Sequence, residues 1–179
     1  MVSRRQVIAG AVLLASAHEA STANNPQAPV HTEFAFEAQV QVAAPLVIGS
    51  SARGLRRVVP IEGGRFDGPR ISGRVLPGGA DWQVVRADDV LDVEAKYTLE
   101  ASDGTLIMVT NKGVRHGPKE IIEKLAQGVD VDPAQYYFRT SAQFEAPSAS
   151  KHAWLNRAVF IGVAERKARM AVIRFYEVL

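Results

Sequence analysis

Residues 91–100 read Leu-Asp-Val-Glu-Ala-Lys-Tyr-Thr-Leu-Glu, and this stretch decides the fold class. Apolar and polar side chains alternate along it, with every odd-numbered position apolar and every even-numbered position polar or charged. Successive side chains of a β-strand point to opposite faces of a sheet. The alternation therefore predicts a strand with one buried and one solvated face.

The same alternation occurs elsewhere in the chain. Apolar residues Phe34, Phe36, Ala38, Val40 and Val42 alternate with polar Glu37, Gln39 and Gln41. Further strand candidates are 82–86, 105–111, 136–144, 155–164 and 171–178, separated by Ser-Asp-Gly, Asn-Lys-Gly and Ala-Glu-Arg-Lys turns. Such turns favour antiparallel neighbours. The predicted fold is all-β, a single antiparallel β-barrel or a barrel-like sandwich.

Residues 117–128 depart from this pattern. Pro118 stands at a first-turn position, Gly128 lies just past the end, and Ile121, Ile122 and Leu125 form one apolar stripe. Proline at the start and glycine after the end are typical of a helix. The segment predicts one short amphipathic α-helix that lies on the sheet or plugs one end of it.

Composition indicates one soluble globular domain. The chain has 179 residues, of which 47% are hydrophobic and 22% charged, and no cysteine. A formal charge of +2, spread singly along the chain, argues against nucleic-acid binding, which needs basic residues on one face. The histidines are isolated from other metal ligands, so we expect no metal and no cofactor.

The first 23 residues resemble an export signal. Arg4 and Arg5 precede an apolar run, residues 7–17, and small residues follow. This order is typical of a signal segment of the twin-arginine type, and the run is shorter than the ~20 residues of a membrane span. We expect a signal at 1–23, a flexible lead-in at 24–33 and a barrel domain at 34–179, in a periplasmic or secreted protein without a permanent membrane anchor. The alternative is an amphipathic N-terminal helix of a cytoplasmic protein.

Residues 61–83 carry the most distinctive motif, Ile-Glu-Gly-Gly-Arg-Phe-Asp-Gly-Pro-Arg-Ile-Ser-Gly-Arg-Val-Leu-Pro-Gly-Gly-Ala-Asp-Trp-Gln. Together with Ser-Asp-Gly at 102–104, Tyr-Phe-Arg-Thr at 137–140 and Trp-Leu-Asn at 154–156, it resembles the bacterial domain of unknown function 3237. The resemblance extends over residues 34–179 and implies an antiparallel β-barrel. It implies no activity.

The glycines of this motif favour tight turns between short strands, with ligand sites as the alternative use. Asp81 and Trp82 follow the Pro-Gly-Gly turn at 77–79 directly. Asp81 either closes a turn or acts as an acid or base at a pocket mouth, and Trp82 either packs or lines that mouth.

The predicted strand around residue 140 carries two charges on one face. Arg139 and Glu145 share this face, and they become interior charges if it faces the barrel lumen. A buried arginine needs a carboxylate or an anionic or carbonyl-bearing ligand. If the face points outward, both charges are simply solvated.

Trp154 and Asn156 lie in the predicted strand 155–164 or beside it, and that strand is apolar on both faces. A polar amide in such a wall is either hydrogen-bonded structurally or lines a pocket.

Two classes of function follow from these candidates. In the first, Trp82, Arg139, Trp154 and Asn156 converge on one cavity that binds a small molecule. In the second, Asp81 or Glu145 acts as acid or base in a cofactor-independent isomerase, cyclase or lyase, with Arg139 stabilising negative charge on a carbonyl-bearing or aromatic substrate. A filled barrel would instead indicate a structural role. Homo-oligomerisation is left open.

Overall fold

A computed structural model describes residues 29–179, and within this range the chain forms strands almost throughout. The elements in chain order are β1 (Thr32–Val42), β2 (Leu46–Ser51), β3 (Gly54–Asp67), β4 (Ser72–Val75), β5 (Ala80–Val85), β6 (Leu91–Ala101), β7 (Leu106–His116), α1 (Lys119–Ala126), β8 (Tyr137–Glu145), β9 (Val159–Lys167) and β10 (Met170–Val178). Two short 3₁₀ turns, Pro133–Gln135 and Ala153–Arg157, flank β8. The predicted signal segment lies outside the described residues.

The strands close into an antiparallel barrel. From β1 the pairing runs through β10, β9, β8, β7 and β6 to β4, then to β3, which pairs with β1 and completes the ring. Strands β4 and β5 both lie between β3 and β6 and share one place in a ring of eight strands. Strand β2 pairs with the first part of β3 only. The predicted all-β barrel is confirmed.

Burial follows the predicted alternation closely. In β6, Leu91, Val93, Tyr97 and Leu99 are buried, and in β8 every second residue is buried. Strand β1 differs at its start, because a β-bulge between Phe34 and Phe36 shifts the register. The bulge turns Ala35 and Phe36 inward and leaves Phe34 39% exposed, so Phe34 does not share the buried face predicted for it.

The sequence predicted no strand for β2, β3 or β4, and β3 contains Pro60 and the adjacent glycines 63 and 64. Residues before Pro60 pair with β2, and residues 61–67 pair with β1. Proline has no backbone N–H, and here it stands where the ladder changes partner. The helix α1 agrees with prediction, although of its three stripe residues only Leu125 is fully buried.

The glycine-rich motif forms more than turns. Gly64 lies inside β3 with φ +141°, and a Cβ placed there would lie 2.0 Å from the carbonyl oxygen of Gln39 in β1. Glycine at this position therefore allows the two strands that close the barrel to approach each other. Gly78, by contrast, lies in a turn with open space around it.

Several predicted boundaries differ from the structure. The turn predicted at Asn-Lys-Gly, residues 111–113, lies inside β7, which continues to His116. Residues 155–157 form a 3₁₀ turn, and β9 begins only at Val159. Thr32 and Glu33, assigned to the lead-in, pair with Val178 and Glu177 of β10. Within residues 29–179, no helix has the length and apolar character needed to cross a bilayer.

Candidate ligand site at the open end of the barrel

The barrel interior differs between its two ends. One half is filled by aromatic rings: Phe36 contacts Phe66, Phe144 and Phe175 with centroid distances of 4.9–5.5 Å, and Phe144 also contacts Phe160. At the other end, where β7 and β9 finish and β3 begins, charged side chains predominate beside the ring of Phe138. We call this second end the open end.

Five polar side chains from four strands meet at the open end. They are Arg57 of β3, Asp81 and Gln83 of β5, Arg115 of β7 and Arg166 of β9. They line an inner cavity of about 50 Å³, whose apolar wall includes Val42, Val59, Phe138 and Ala171. This volume suits one or two water-sized groups.

A larger cavity lies outside the inner one and shares its three arginines, Arg57, Arg115 and Arg166. This mouth cavity has a volume of about 520 Å³, within the range of small-molecule sites. Its remaining wall comes from the β1–β2 connection, the end of α1 and the β9–β10 turn: Ala43, Ala44, Pro45, Leu125, Ala126, Gln127, Gly128, Ala168 and Arg169. The three arginines thus lie between the barrel interior and the opening.

Hydrogen bonds hold part of the cluster in place. Nε of Arg57 donates to Oε1 of Gln83 at 2.6 Å, and Nε2 of Gln83 donates to Oδ2 of Asp81 at 2.5 Å. The other oxygen of Asp81 accepts from the backbone N–H of Glu94 at 2.9 Å. The guanidinium of Arg57 and the carboxylate of Asp81 are therefore held at the two ends of a short chain of hydrogen bonds through Gln83, which we call the relay.

Arg115 lies outside this relay. It is only 6% exposed, and its Nε has no hydrogen-bond partner among residues 29–179. Burial, together with the neighbouring Arg57 and Arg166, lowers the pKa of Arg115 to about 10. The group stays protonated at neutral pH, so a buried cation remains without full compensation.

Asp81 is the titratable acid of the site, and its charge acts on the buried hydroxyl of Tyr97 nearby. Burial raises the pKa of Asp81, although the hydrogen bonds from Gln83 and Glu94 oppose that effect. Burial and the nearby Asp81 also raise the pKa of Tyr97, whose hydroxyl has no hydrogen-bond partner among the described residues. Both environments favour the neutral, proton-carrying form.

Of the two predicted acid or base residues, the structure places only Asp81 in this site. Glu145 lies on the exposed face of β8. Arg139 shares that face, and its Nη1 donates to the carbonyl of Phe138 at 2.9 Å. Because Phe138 and its apolar companions fill the interior, the charged face of β8 must point to solvent.

Trp82 also points outward. It is 41% exposed, since Asp81 and Gln83 on either side of it take the inward positions of β5. Two strands, β6 and β7, separate β5 from β8 in the ring, so Trp82 and Arg139 lie on different parts of the outer wall.

Trp154 and Asn156 lie in the 3₁₀ turn before β9. The guanidinium of Arg70 stacks 3.6 Å above the Trp154 ring, and Asn156 bonds both backbone groups of Ala146 at 2.8 Å. Both polar atoms of the Asn156 side chain thus have hydrogen-bond partners in the backbone. The structure does not bring Trp82, Arg139, Trp154 and Asn156 together, and the expectation that they converge on one cavity is corrected.

Sequence reasoning missed Arg57, Gln83, Arg115 and Arg166. One signal was present: extending the predicted strand 105–111 by two further alternations places Arg115 on the same face as buried Ile107, Val109 and Asn111. Among residues 29–179, no group of histidine and acidic side chains has the arrangement of a metal site.

Comparison with known proteins supports the fold and the family. Residues 30–178 match the family described as Protein of unknown function (DUF3237). A UPF0311 protein of Rhodopseudomonas palustris is 40% identical over 150 residues, covering 84% of this chain and 97% of that protein. A UPF0311 protein of Clostridium acetobutylicum is 37% identical over 147 residues, covering 82% of this chain and 92% of its own length.

Solved structures of similar proteins have the same fold. A protein of unknown function from Rhodopseudomonas palustris superposes with a TM-score of 0.79 at 39% identity, and a beta-barrel like protein from Acinetobacter baumannii with 0.73 at 40%. Each alignment covers 84% of this chain and 97% of the other.

A more distant relative has a named activity. The hydroalkoxylation enzyme phnH of Penicillium herquei is 29% identical over 82 residues, covering 46% of this chain and 54% of that protein. A solved enzyme from Penicillium herquei shares the fold, with a TM-score of 0.63 at 21% identity. The match over residues 30–178 and the identity to UPF0311 proteins confirm the family indicated by the sequence motifs: the chain belongs to the DUF3237 family.

Proposed function

We propose that this protein binds a small organic molecule in the mouth cavity at the open end of the barrel. The observation that carries the proposal is the meeting of five polar side chains from four strands at the base of a cavity of about 520 Å³. A barrel with a purely structural role would fill this end with apolar side chains, as the opposite half does with phenylalanines.

An unpartnered polar atom of a cavity-lining residue supports the same proposal. Nε of Arg115 is buried and lacks a hydrogen-bond partner among the described residues. Each buried polar group left unsatisfied destabilises a fold by about 1–3 kcal/mol. A protein tolerates such a group mainly where a site requires it.

A second candidate function is cofactor-independent catalysis on a carbonyl-bearing or aromatic substrate. Asp81 favours it, since burial raises the pKa of its carboxyl group in the direction that a general acid needs. The relative named a hydroalkoxylation enzyme adds weight. In such a reaction the carboxyl group of Asp81 would give its proton to an alkene carbon. The substrate hydroxyl oxygen would form the new C–O bond and return its own proton to the carboxylate.

The test is a thermal-shift screen of small aromatic and carbonyl compounds against the folded protein. A ligand at a hundred times its Kd adds about 2.7 kcal/mol to the free energy of unfolding. Compounds that stabilise the protein are then tested on Ala126→Trp, which fills the mouth cavity from α1, and on Ala134→Trp, an exposed position outside it.

Loss of binding in Ala126→Trp with binding kept in Ala134→Trp supports the proposal that the ligand binds in the mouth cavity. Binding by both variants as tight as that of the wild type contradicts the proposal. Product formation by the wild type that Asp81→Asn abolishes, with ligand binding retained, would establish the second candidate.

We also propose that the protein acts in the periplasm or outside the cell. The support is the order of basic, apolar and small residues at 1–23. Export by a twin-arginine route would deliver the barrel already folded.

A further inference from the structure

We infer that the ligand of the mouth cavity is an organic anion, whose carboxylate or ionised phenol or enol oxygen is bound by Arg115 together with Arg57 and Arg166. This inference rests on the proposed function and adds the chemical class of the ligand.

The charges around the cavity are mostly positive. The residues that line the mouth cavity include four arginines and no carboxylate, and of the four Arg169 is ion-paired with Glu62 at 3.4 Å. Asp81 is the only acid on the wall of the inner cavity, and it faces Arg57, Arg115 and Arg166 there. Three guanidiniums against one carboxylate leave an excess of positive charge in a concave, partly desolvated place. Such clefts concentrate anions.

Arg115 shows where the anion binds. Arg57 is held by Gln83, and Nη1 of Arg166 donates to the carbonyl of Met170 at 3.1 Å. Nε of Arg115 has no hydrogen-bond partner among residues 29–179, although the residue is only 6% exposed, and its guanidinium lies 5.8 Å from the centroid of the Phe138 ring. A buried guanidinium needs a paired anion, and its planar fork matches the two oxygens of a carboxylate.

The rest of the wall fits a carbon skeleton. Around the arginines the mouth cavity is lined by Ala43, Ala44, Pro45, Leu125, Ala126 and Ala168. The inner cavity adds the ring of Phe138. An inorganic anion would leave these surfaces in contact with water, whereas an organic anion would cover them.

The inference is tested with matched pairs of ligands. Each pair joins a charged compound to a neutral isostere: aromatic carboxylates with their carboxamides, and acidic phenols or enols with their methyl ethers. Inorganic phosphate is a third arm. Thermal shift and calorimetric titration give Kd for the wild type, Arg115→Gln, Arg166→Gln and Arg139→Gln, the last of which removes an arginine from the outer wall.

We expect the charged member of a pair to bind at least about tenfold more tightly than its neutral isostere, as hydrogen bonds to charged groups imply. Arg115→Gln and Arg166→Gln should each reduce this difference, and Arg139→Gln should preserve it. Arg115→Lys keeps the charge without the planar fork and should retain part of the preference. The carboxylate and phenol pairs distinguish the two sources of the anionic oxygen.

The other outcomes separate the inference from the proposed function. Neutral isosteres that bind as tightly as the acids, with binding lost in Ala126→Trp, would overturn the anionic class and leave the proposed function standing. Inorganic phosphate binding as tightly as any organic acid would support the arginine cluster and overturn an organic ligand. No binding by any compound of the pairs would overturn both.

Discussion

Nε2 of Gln83 donates a 2.5 Å hydrogen bond to Oδ2 of Asp81, two residues earlier on the same strand. The two side chains share the inward face of β5, while Trp82 between them faces outward. Since Gln83 also accepts from Arg57, one amide connects a cation and an acid that lie on different strands. Gln83 therefore sets the positions of both charged groups at the inner cavity.

Gln83→Leu tests this connection. The substitution leaves Nε of Arg57 and Oδ2 of Asp81 each without a partner, and we expect the free energy of unfolding to fall by about 1–3 kcal/mol. Urea denaturation measures it. Gln41→Leu, at an exposed position of β1, is the matched control and should change stability by no more than about 0.5 kcal/mol. Equal effects of the two variants would contradict the role of Gln83.

Arg115→Met is expected to stabilise the ligand-free protein. Methionine keeps an unbranched apolar stem and removes a buried charge whose Nε lacks a partner, so the free energy of unfolding should rise by about 1 kcal/mol or more. Arg139→Met on the outer wall should leave stability nearly unchanged. A clear loss of stability in Arg115→Met would identify Arg115 as a structural residue instead.

Asp81 should make stability depend on pH. Burial raises the pKa of Asp81 above the value of about 3.9 in an unfolded chain, so the folded state holds this proton more tightly. Its contribution is therefore fully present below about pH 4 and decreases as pH rises through the raised pKa.

The difference in free energy of unfolding between wild type and Asp81→Asn isolates this term, because the other titrating groups are common to both. Measured by urea denaturation from about pH 4 to 7, the wild type should lose stability relative to the variant as pH increases. A relative gain by the wild type would mean that Arg57 and Arg115 outweigh burial and depress the pKa.

Gly64→Ala should disrupt barrel closure. Its Cβ would meet the carbonyl oxygen of Gln39 at 2.0 Å, and its φ of +141° disfavours any side chain. Strain and backbone displacement together should lower the free energy of unfolding by about 2 kcal/mol or more. Gly78 has φ +100°, and a Cβ placed there would meet no atom within 4 Å. Gly78→Ala therefore measures the cost of backbone strain without a steric clash. Thermal unfolding of both variants separates the two effects, and equal losses would remove the steric argument.

Residues 1 to about 23 should be absent from the mature protein. Intact-mass spectrometry of the protein from the envelope fraction of the native host measures this directly. Replacement of Arg4 and Arg5 by lysine should retain the protein in the cytoplasm, because a twin-arginine route requires the pair. An envelope protein with an intact Met1 would contradict removal of the segment.

The sequence determined the secondary structure of this protein over most of the barrel. Period-two alternation is a local property of the chain, so it located β6, β8, β10 and most of β1 and indicated which residues share a face. It failed for β2, β3 and β4. In β3, proline and glycines are tolerated because the strand changes partner at Pro60 and approaches Gln39 at Gly64. Of the candidate site residues, Asp81 is the one that lines the inner cavity.

Only the tertiary structure decided which face of each strand is interior at the open end and which charges meet there. Arg57, Arg115 and Arg166 lie on three strands, and they line one cavity only because the ring closes through β1 and β3 with a particular register. Local alternation carries no information about that register. The apolar face of β8 lies in the interior, so Arg139 and Glu145 are exposed to solvent. The buried cations of the site are instead arginines on other strands, and these do not stand out in the sequence.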